Sequence, residues 1–487
     1  MNMLMIYDNS LVPNEIVREV IGQRGYGDVI VKRHLLKNYY IDAVRQVLGG
    51  NFDTHEFNKV YDFDALSQHI DDLVEKNFTV FHAFSDFIIS NKADFALSLK
   101  KLPYLHEDMC FMNGRRSVAA VFSDLNHYKD FLQKAYKSGD VKKTVKDLNL
   151  KEIQVEGVEY IGEIASFVQC ISGNFDSRYF NSLHGNQYIL RKSSSQKNKM
   201  FAEYRYYYLL PDSMKRFMVM PFDYRDEDDV ASYAMERLYM TDVAIKWVHG
   251  SFDQEEFEQL MQMYFYFFSE RSKKEVSEEE YKKTADSLYI NKVVDRISKL
   301  KSLKAYESIA PFVNHKFGSI DALVEKYFSL KKKLEKGVRQ RSVSVIGHGD
   351  PCFSNAMYNR ATKTLKFIDP KGAVTEEELW TNPYYDIAKL SHSVCGNYDF
   401  FNNAMFDISV NGHLDCELHI PFDNSLYKMI FKEYAEKSGY NYWLVRLYEA
   451  SLFISMLPLH MDYPQKVFGF ILNAAKILDE VENEAGV

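Results

Sequence analysis

Cysteine is scarce and unpatterned in this chain. The five cysteines (Cys110, Cys170, Cys352, Cys395 and Cys416) are odd in number, lie far apart and form no C-x-x-C pair. Neither a disulfide framework nor a cysteine-based zinc site is indicated. Long apolar runs are also missing: stretches such as 452–459 fall far short of the roughly 20 residues that a membrane-spanning helix needs. Basic charge does not dominate. Sixty Lys and Arg against 68 Asp and Glu leave a net charge of −8, which gives no cationic footprint for nucleic acid. The N-terminal ten residues reach Asp8 without a basic segment, so no signal peptide is expected and the expected location is the cytoplasm. Aromatics are abundant, with 34 Tyr and 35 Phe in 487 residues, which predicts aromatic-rich globular cores. A chain of this length suggests about three domains.

One stretch carries chemistry. Residues 343–346 (Val-Ser-Val-Ile) read as a short strand that delivers the loop His348-Gly349-Asp350-Pro351-Cys352-Phe353-Ser354-Asn355. Two further strands, 356–360 and 365–368, joined by a turn at 359–362, end on Asp369-Pro370. Such a hairpin brings Asn355 and Asp369 together, with Asp350 beside them. Phosphoryl transfer from ATP needs a carboxylate to orient and deprotonate the acceptor hydroxyl. It also needs hard oxygen ligands to hold magnesium on the phosphates. Asp350 suits the first role. Asn355 and Asp369 suit the second, since magnesium takes few protein ligands and fills the rest of its shell with water and phosphate.

The pattern H-G-D-x-x-x-x-N, followed by an apolar strand and Ile368-Asp369-Pro370, resembles the catalytic core of the aminoglycoside phosphotransferase and choline kinase group, relatives of protein kinases. Gly349 stands where protein kinases carry Arg, and Pro370-Lys371 where they carry Phe-Gly; both departures are those of the small-molecule kinases. Tyr384-Tyr385-Asp386-Ile387-Ala388 matches the family's helix-starting D-x-A. The resemblance implies that Asp386 braces the catalytic loop and that His348 shapes it. The region 390–403 lines the acceptor pocket in that family, which makes His392, Tyr398 and Asp399 acceptor candidates. Lys371, next to the metal ligand, is a candidate for a phosphate. Ile-Asp-Pro-Lys-Gly and Tyr-Asp-Ile-Ala-Lys-Leu also resemble kinase-like proteins of capsule and cell-surface polysaccharide synthesis, which implies a sugar-like acceptor.

The kinase-like fold then asks for an N-lobe upstream. Residues 158–167 read as a strand, and 171–177 as a small-residue loop with one glycine where protein kinases have three. Gly173 and Asn174 there would approach phosphate. Strands at 178–183 and 187–192 follow, the second ending on Lys192. Glu203 lies eleven residues on, in a predicted helix. In kinases a strand lysine holds the α- and β-phosphates and a helix glutamate orients it. Arg191 competes for the lysine role but projects from the opposite face of its strand. Strands at 217–221 and 232–238 would close the sheet. Met235 packs on the adenine in this reading, and the backbone around Glu236 and Leu238 reads its edge.

Residues 1–150 alternate strands (4–7, 28–31, 78–82) and helices (15–21, 66–74, 128–135), predicting a layered and mostly parallel α/β unit. The run 78–86 resembles the metal-binding strand end of sugar nucleotidyltransferases. The glycine- and basic-rich nucleotide loop of that family is missing, so a degenerate domain or a structural one is expected.

The expected architecture is therefore α+β: an α/β domain over 1–150, a kinase-like N-lobe over 151–238 and a helical C-lobe over 239–487. The expected activity is transfer of phosphate from ATP, with Mg2+, to a hydroxyl of a small molecule, with no nucleic-acid partner and no membrane span. A nucleotide-binding scaffold and a kinase–nucleotidyltransferase are the alternatives. The sequence leaves oligomeric state open.

Overall fold

The computed structural model describes residues 2–31, 33–48, 52–57, 66, 68, 70, 78–171, 181–186, 188–338, 341–412 and 415–486. The chain falls into two compact units, Met1–Gly173 and Asn174–Val487.

The first unit is built on a six-stranded sheet. In spatial order its strands are Phe52–Phe57, Asn2–Asp8, Phe78–Phe84, Arg116–Phe122, Met109–Asn113 and Lys151–Gln154. Asn2–Asp8 runs parallel to both its neighbours. Arg116–Phe122 is antiparallel to both of its own, so the sheet is mixed, with three of its five pairings parallel. Strand alternation sorts residues between two cores. Leu4 and Ile6 pack with Val80, Ala120 and Tyr128. Met3, Met5 and Tyr7 pack with Phe81, Tyr40 and Phe95. A sheet covered on both faces accepts an unbroken apolar run, which explains Leu4-Met5-Ile6-Tyr7. The predicted helix at 66–74 lies mostly outside the described residues.

The boundary expected at 150 falls inside this unit. Lys151–Gln154 extends its sheet beside Met109–Asn113, and Val158–Tyr160 pairs with Phe87–Ile89. The strand expected over 158–167 stops at Tyr160, and Ile164–Ile171 is a helix. Its residues Ile164, Phe167, Val168 and Ile171 are spaced three and four apart, which is helical rather than strand periodicity.

The second unit, residues 174–487, has a small lobe and a large one. Its small lobe is an antiparallel sheet ordered Asn181–Gly185, Ile189–Ser194, Ala231–Glu236, Pro221–Asp226, with the helix Lys197–Leu209. The strand expected at 217–221 is displaced: Pro221–Asp226 forms it.

The large lobe is mostly helical. Asp253 caps Gln254–Glu270 by accepting from the Glu256 amide. Phe257, Leu260, Met261, Tyr264 and Phe268 are spaced three and four apart and all buried; each such side chain contributes about 1.5–3 kcal/mol. The helix Pro383–Val394 begins on Asn382, which accepts from the Tyr384 amide, with proline in the first turn where its missing N–H costs nothing. Among the described residues no helix is long and apolar enough to cross a membrane.

Candidate active site

The loop at 347–355 is held by its backbone. Val343–Ile346 enters as a buried strand. Asp386 then accepts the His348 amide on one carboxylate oxygen and the Gly349 amide on the other, both at 2.9 Å. Arg271 Nη1 donates to the same carboxylate at 3.2 Å, and both side chains are fully buried. A buried carboxylate is tolerable when amides and a guanidinium satisfy it, so Asp386 serves as a clamp. Tyr206 donates to the Gly347 carbonyl at 2.9 Å. The His348 side chain is buried, and burial drives its pKa down despite nearby carboxylates. It is a neutral ring packed against Phe367 and Tyr206.

Two glycines make the loop possible. Gly349 has φ +84°, and a Cβ there would lie 2.5 Å from the Lys371 Cβ. Gly372 has φ +88°, and a Cβ would meet the backbone of Ala202 and Glu203 at 2.8–2.9 Å. The second contact presses the segment after Asp369 against the Glu203 helix, where the Ala373 amide donates to the Ala202 carbonyl at 3.1 Å.

The loop and hairpin are stitched together. The Asn355 side-chain amide donates to the Asp350 carbonyl at 2.9 Å. The Ile368 amide donates to the Asn355 carbonyl at 3.0 Å, and the Lys371 amide to that of His348 at 2.9 Å. Ala356–Asn359 pairs with Thr364–Phe367 through Ala356–Phe367 to Asn359–Thr364. Asp369 follows in the left-handed region at φ 55°, a conformation that Asp tolerates better than most residues.

Lys192 bridges the lobes. Its Nζ lies 2.6 Å from Glu203 Oε2 and 2.9 Å from Asp369 Oδ1, with the lysine side chain 4% exposed and that of Asp369 42%. Tyr233 donates to the same Glu203 oxygen at 3.2 Å. Burial opposes the ammonium charge, but Asp369 and Glu203 outweigh it, so the pKa is raised and the lysine stays charged. Lys192 lies opposite Tyr233, and Leu190 opposite Met235, so these four share one face of the sheet. Arg191 takes the other face, with Asp223 and Ser232. Glu203, Tyr206, Tyr233, Met235, Phe367 and Asp369 line a cleft behind the lysine. Glu236 is exposed at the end of its strand, and Leu238 is half-buried just beyond.

Asp350 has a partner that motif reading passes over. Lys389 Nζ lies 3.0 Å from Asp350 Oδ1; the two side chains are 13% and 39% exposed. Burial raises the Asp350 pKa, but Lys389 more than reverses this and holds the carboxyl below its usual range. Lys389 comes three residues after Asp386 on the same helix. That spacing was a usable signal, because residues three apart share a helix face. Arg271, far off in sequence, gave none.

Asn355 and Asp369 could hold a magnesium ion. Asn355 spends its amide nitrogen on the Asp350 carbonyl, which leaves its carbonyl oxygen as a donor. Asp369 engages Lys192 through Oδ1 and is partly exposed, which leaves Oδ2. Two hard oxygens suffice for magnesium.

Other candidates sit elsewhere. Gly173 and Asn174 lie outside the described residues. Lys371 is exposed beside the loop. His392, Tyr398 and Asp399 are buried, with the His392 ring stacked on Tyr398 at 4.2 Å and against Phe453 at 4.2 Å. Their burial is that of core packing. The Asp399 carboxyl is pushed up to about 7, by burial first; Ser393 opposes the shift, and Asp242 and Asp350 add to it.

No family model matches the chain, and no curated protein matches it. Among solved structures it is similar to a thermostable mutant of aminoglycoside phosphotransferase APH(4)-Ia in ternary complex with AMP-PNP and hygromycin B. That likeness has 11% identity, 64% of this chain, 93% of that chain and a TM-score of 0.39. It is also similar to aminoglycoside 2'-phosphotransferase-IIIa in complex with GDP (13% identity, 64% and 92% covered, TM-score 0.39). A third likeness is to APH(2")-IIa with streptomycin and ATP (13%, 63% and 91%, TM-score 0.35).

Proposed function

We propose that the chain is an ATP- and magnesium-dependent phosphotransferase acting on a hydroxyl of a small molecule. The observation that carries this is Lys192 Nζ, within 2.9 Å of both the Glu203 and Asp369 carboxylates, in a unit where Asn355 ties the hairpin to Asp350.

In this reading Lys192 holds the α- and β-phosphates, oriented by Glu203, and Met235, Glu236 and Leu238 form the adenine edge. Asn355 and Asp369 would hold magnesium, which when bound neutralises charge on the phosphates. Asp350 orients the acceptor hydroxyl and takes its proton. The acceptor oxygen bonds to the γ-phosphorus while the bond to the bridging oxygen breaks, and ADP departs with that electron pair. Asp386 and Arg271 act on the loop's geometry. Asp350, charged beside Lys389, is a better orienting group than a strong base, which suits a loose transition state that demands little deprotonation early.

A sugar or sugar derivative is the proposed acceptor, with a role in surface polysaccharide or capsule synthesis and a cytoplasmic location. These finer statements rest on the sequence resemblance. The test is ADP release from ATP with and without magnesium, for the native chain and for Asp350→Ala. Magnesium-dependent turnover lost in the variant supports the assignment; equal turnover by both proteins removes it.

A further inference from the structure

The Asp350 carboxylate is reached by a second group of charges that does not involve Lys192, Glu203 or Asp369. Lys389 meets it directly at 3.0 Å. One helical turn before Lys389, Tyr385 projects from the same face of the Pro383–Val394 helix. The Tyr385 hydroxyl accepts from Lys292 Nζ at 3.0 Å, and that ammonium lies 5.4 Å from the ring centroid. Burial would push the Tyr385 phenol up, but Lys389 and Lys292 together hold it below its ordinary value.

Lys292 therefore meets the phenol directly, Lys389 follows it one turn later on the same helix, and Asp350 offsets Lys389. Lys292 opens the helix Lys292–Ser302, is half-buried, and pairs with the Tyr385 hydroxyl rather than with a carboxylate. A half-buried ammonium that spends one donor on a phenol oxygen keeps two more for an anion, so the arrangement suits a site whose anion arrives with a ligand. Lys371, exposed next to Gly349, adds a further cation beside the loop, with no ion pair among the described residues.

We propose that Lys292, together with the Tyr385 hydroxyl, binds an anionic group of the acceptor. The substrate class is then a hydroxyl compound that already bears a phosphate or a carboxylate, rather than a neutral or cationic one. This rests on the phosphotransferase reading and narrows it. The anionic group takes no part in the bonds that change; it fixes the acceptor so that its hydroxyl faces Asp350.

The experiment measures ADP release by the full chain with four acceptor sets: neutral monosaccharides, their monophosphates, uronic acids and amino sugars. The expected result is stimulation by monophosphates or uronic acids, the two sets telling which anion is used. Lys292→Met should raise the acceptor KM at least about tenfold, the worth of one charge-assisted hydrogen bond, and the ATP KM much less. Tyr385→Phe should raise the acceptor KM by a smaller factor. Unchanged circular dichroism and unfolding midpoints show that the variants fold. Stimulation confined to neutral or cationic acceptors, no stimulation by any anionic one, or an unaltered KM in Lys292→Met would each overturn the proposal. Failure of the underlying reading is separate: it appears as magnesium-dependent ATP turnover that survives Asp350→Ala.

Discussion

Each unit sets a lysine against a buried carboxylate, and the two sites differ in stoichiometry. In the first unit Lys142 Nζ lies 2.7 and 2.5 Å from the two oxygens of Asp86, one cation for one anion. Nearby, His82 bridges Asp8 and the Tyr128 hydroxyl at 3.0 and 2.8 Å, so each polar group has its partner inside the fold. In the second unit one lysine serves two carboxylates, and the second, Asp369, is partly exposed at a left-handed backbone position. A balanced pair needs nothing from solution. An unbalanced and half-open one has capacity for a cation, and the backbone strain at Asp369 fits a functional site better than a structural one.

Four substitutions would break or sharpen that contrast. The largest effect is expected from Asp350→Ala, which should lower acceptor phosphorylation by about 10²- to 10⁴-fold with little change in ATP affinity. Steady-state ADP release and a nucleotide-binding titration check it, and comparable loss of both would mean the loop had collapsed instead. Next is Lys192→Met, which should raise the ATP KM by about ten- to a hundredfold, as loss of a charged phosphate contact predicts. Unaltered ATP kinetics would make Lys192–Glu203 a structural pair like Lys142–Asp86.

Lys142→Met should cost stability, about 3 kcal/mol for stranding a buried charge, and leave turnover unaffected. Burial raises the Asp86 pKa, against the pull of Lys142. A carboxyl with a raised folded pKa favours the fold below its unfolded value and loses that benefit as pH rises through the folded one. The deficit should therefore be larger at pH 8 than at pH 4.5 in thermal unfolding; a pH-independent deficit would contradict this.

A last effect concerns Asp399, whose carboxyl is pushed up to about 7. By the same linkage the native protein should lose stability between about pH 4 and pH 7. Asp399→Asn should flatten that slope, giving a higher unfolding midpoint than the native chain at pH 8 and a similar one at pH 4.5. Parallel curves would show that Asp399 does not titrate in this range.

Some of this was legible before any coordinates. The strand–loop–hairpin at 343–369 could be read because its strands are short apolar runs bounded by turn residues, signals that act over a few positions. The side of Lys192 versus Arg191 followed from strand alternation. The displaced strand at Pro221–Asp226 was not legible. Its residues Asp223, Arg225 and Asp226 are polar because one face of an edge strand is exposed, and local composition there mimics a turn. Residues 151–160 join strands of the first unit rather than the expected N-lobe, because sequence does not say which sheet edge a strand will join.

The sequence by itself determined the chemistry on offer. It set an Asp, an Asn and a second Asp at fixed spacings around glycines that alone permit positive φ without strain. Only the tertiary structure decided the company those groups keep: Arg271 on Asp386 and Lys292 on Tyr385. These contacts join segments up to 115 residues apart, and no local pattern encodes them, because the energy of a buried charge depends on which opposite charge the fold brings within about 3 Å of it.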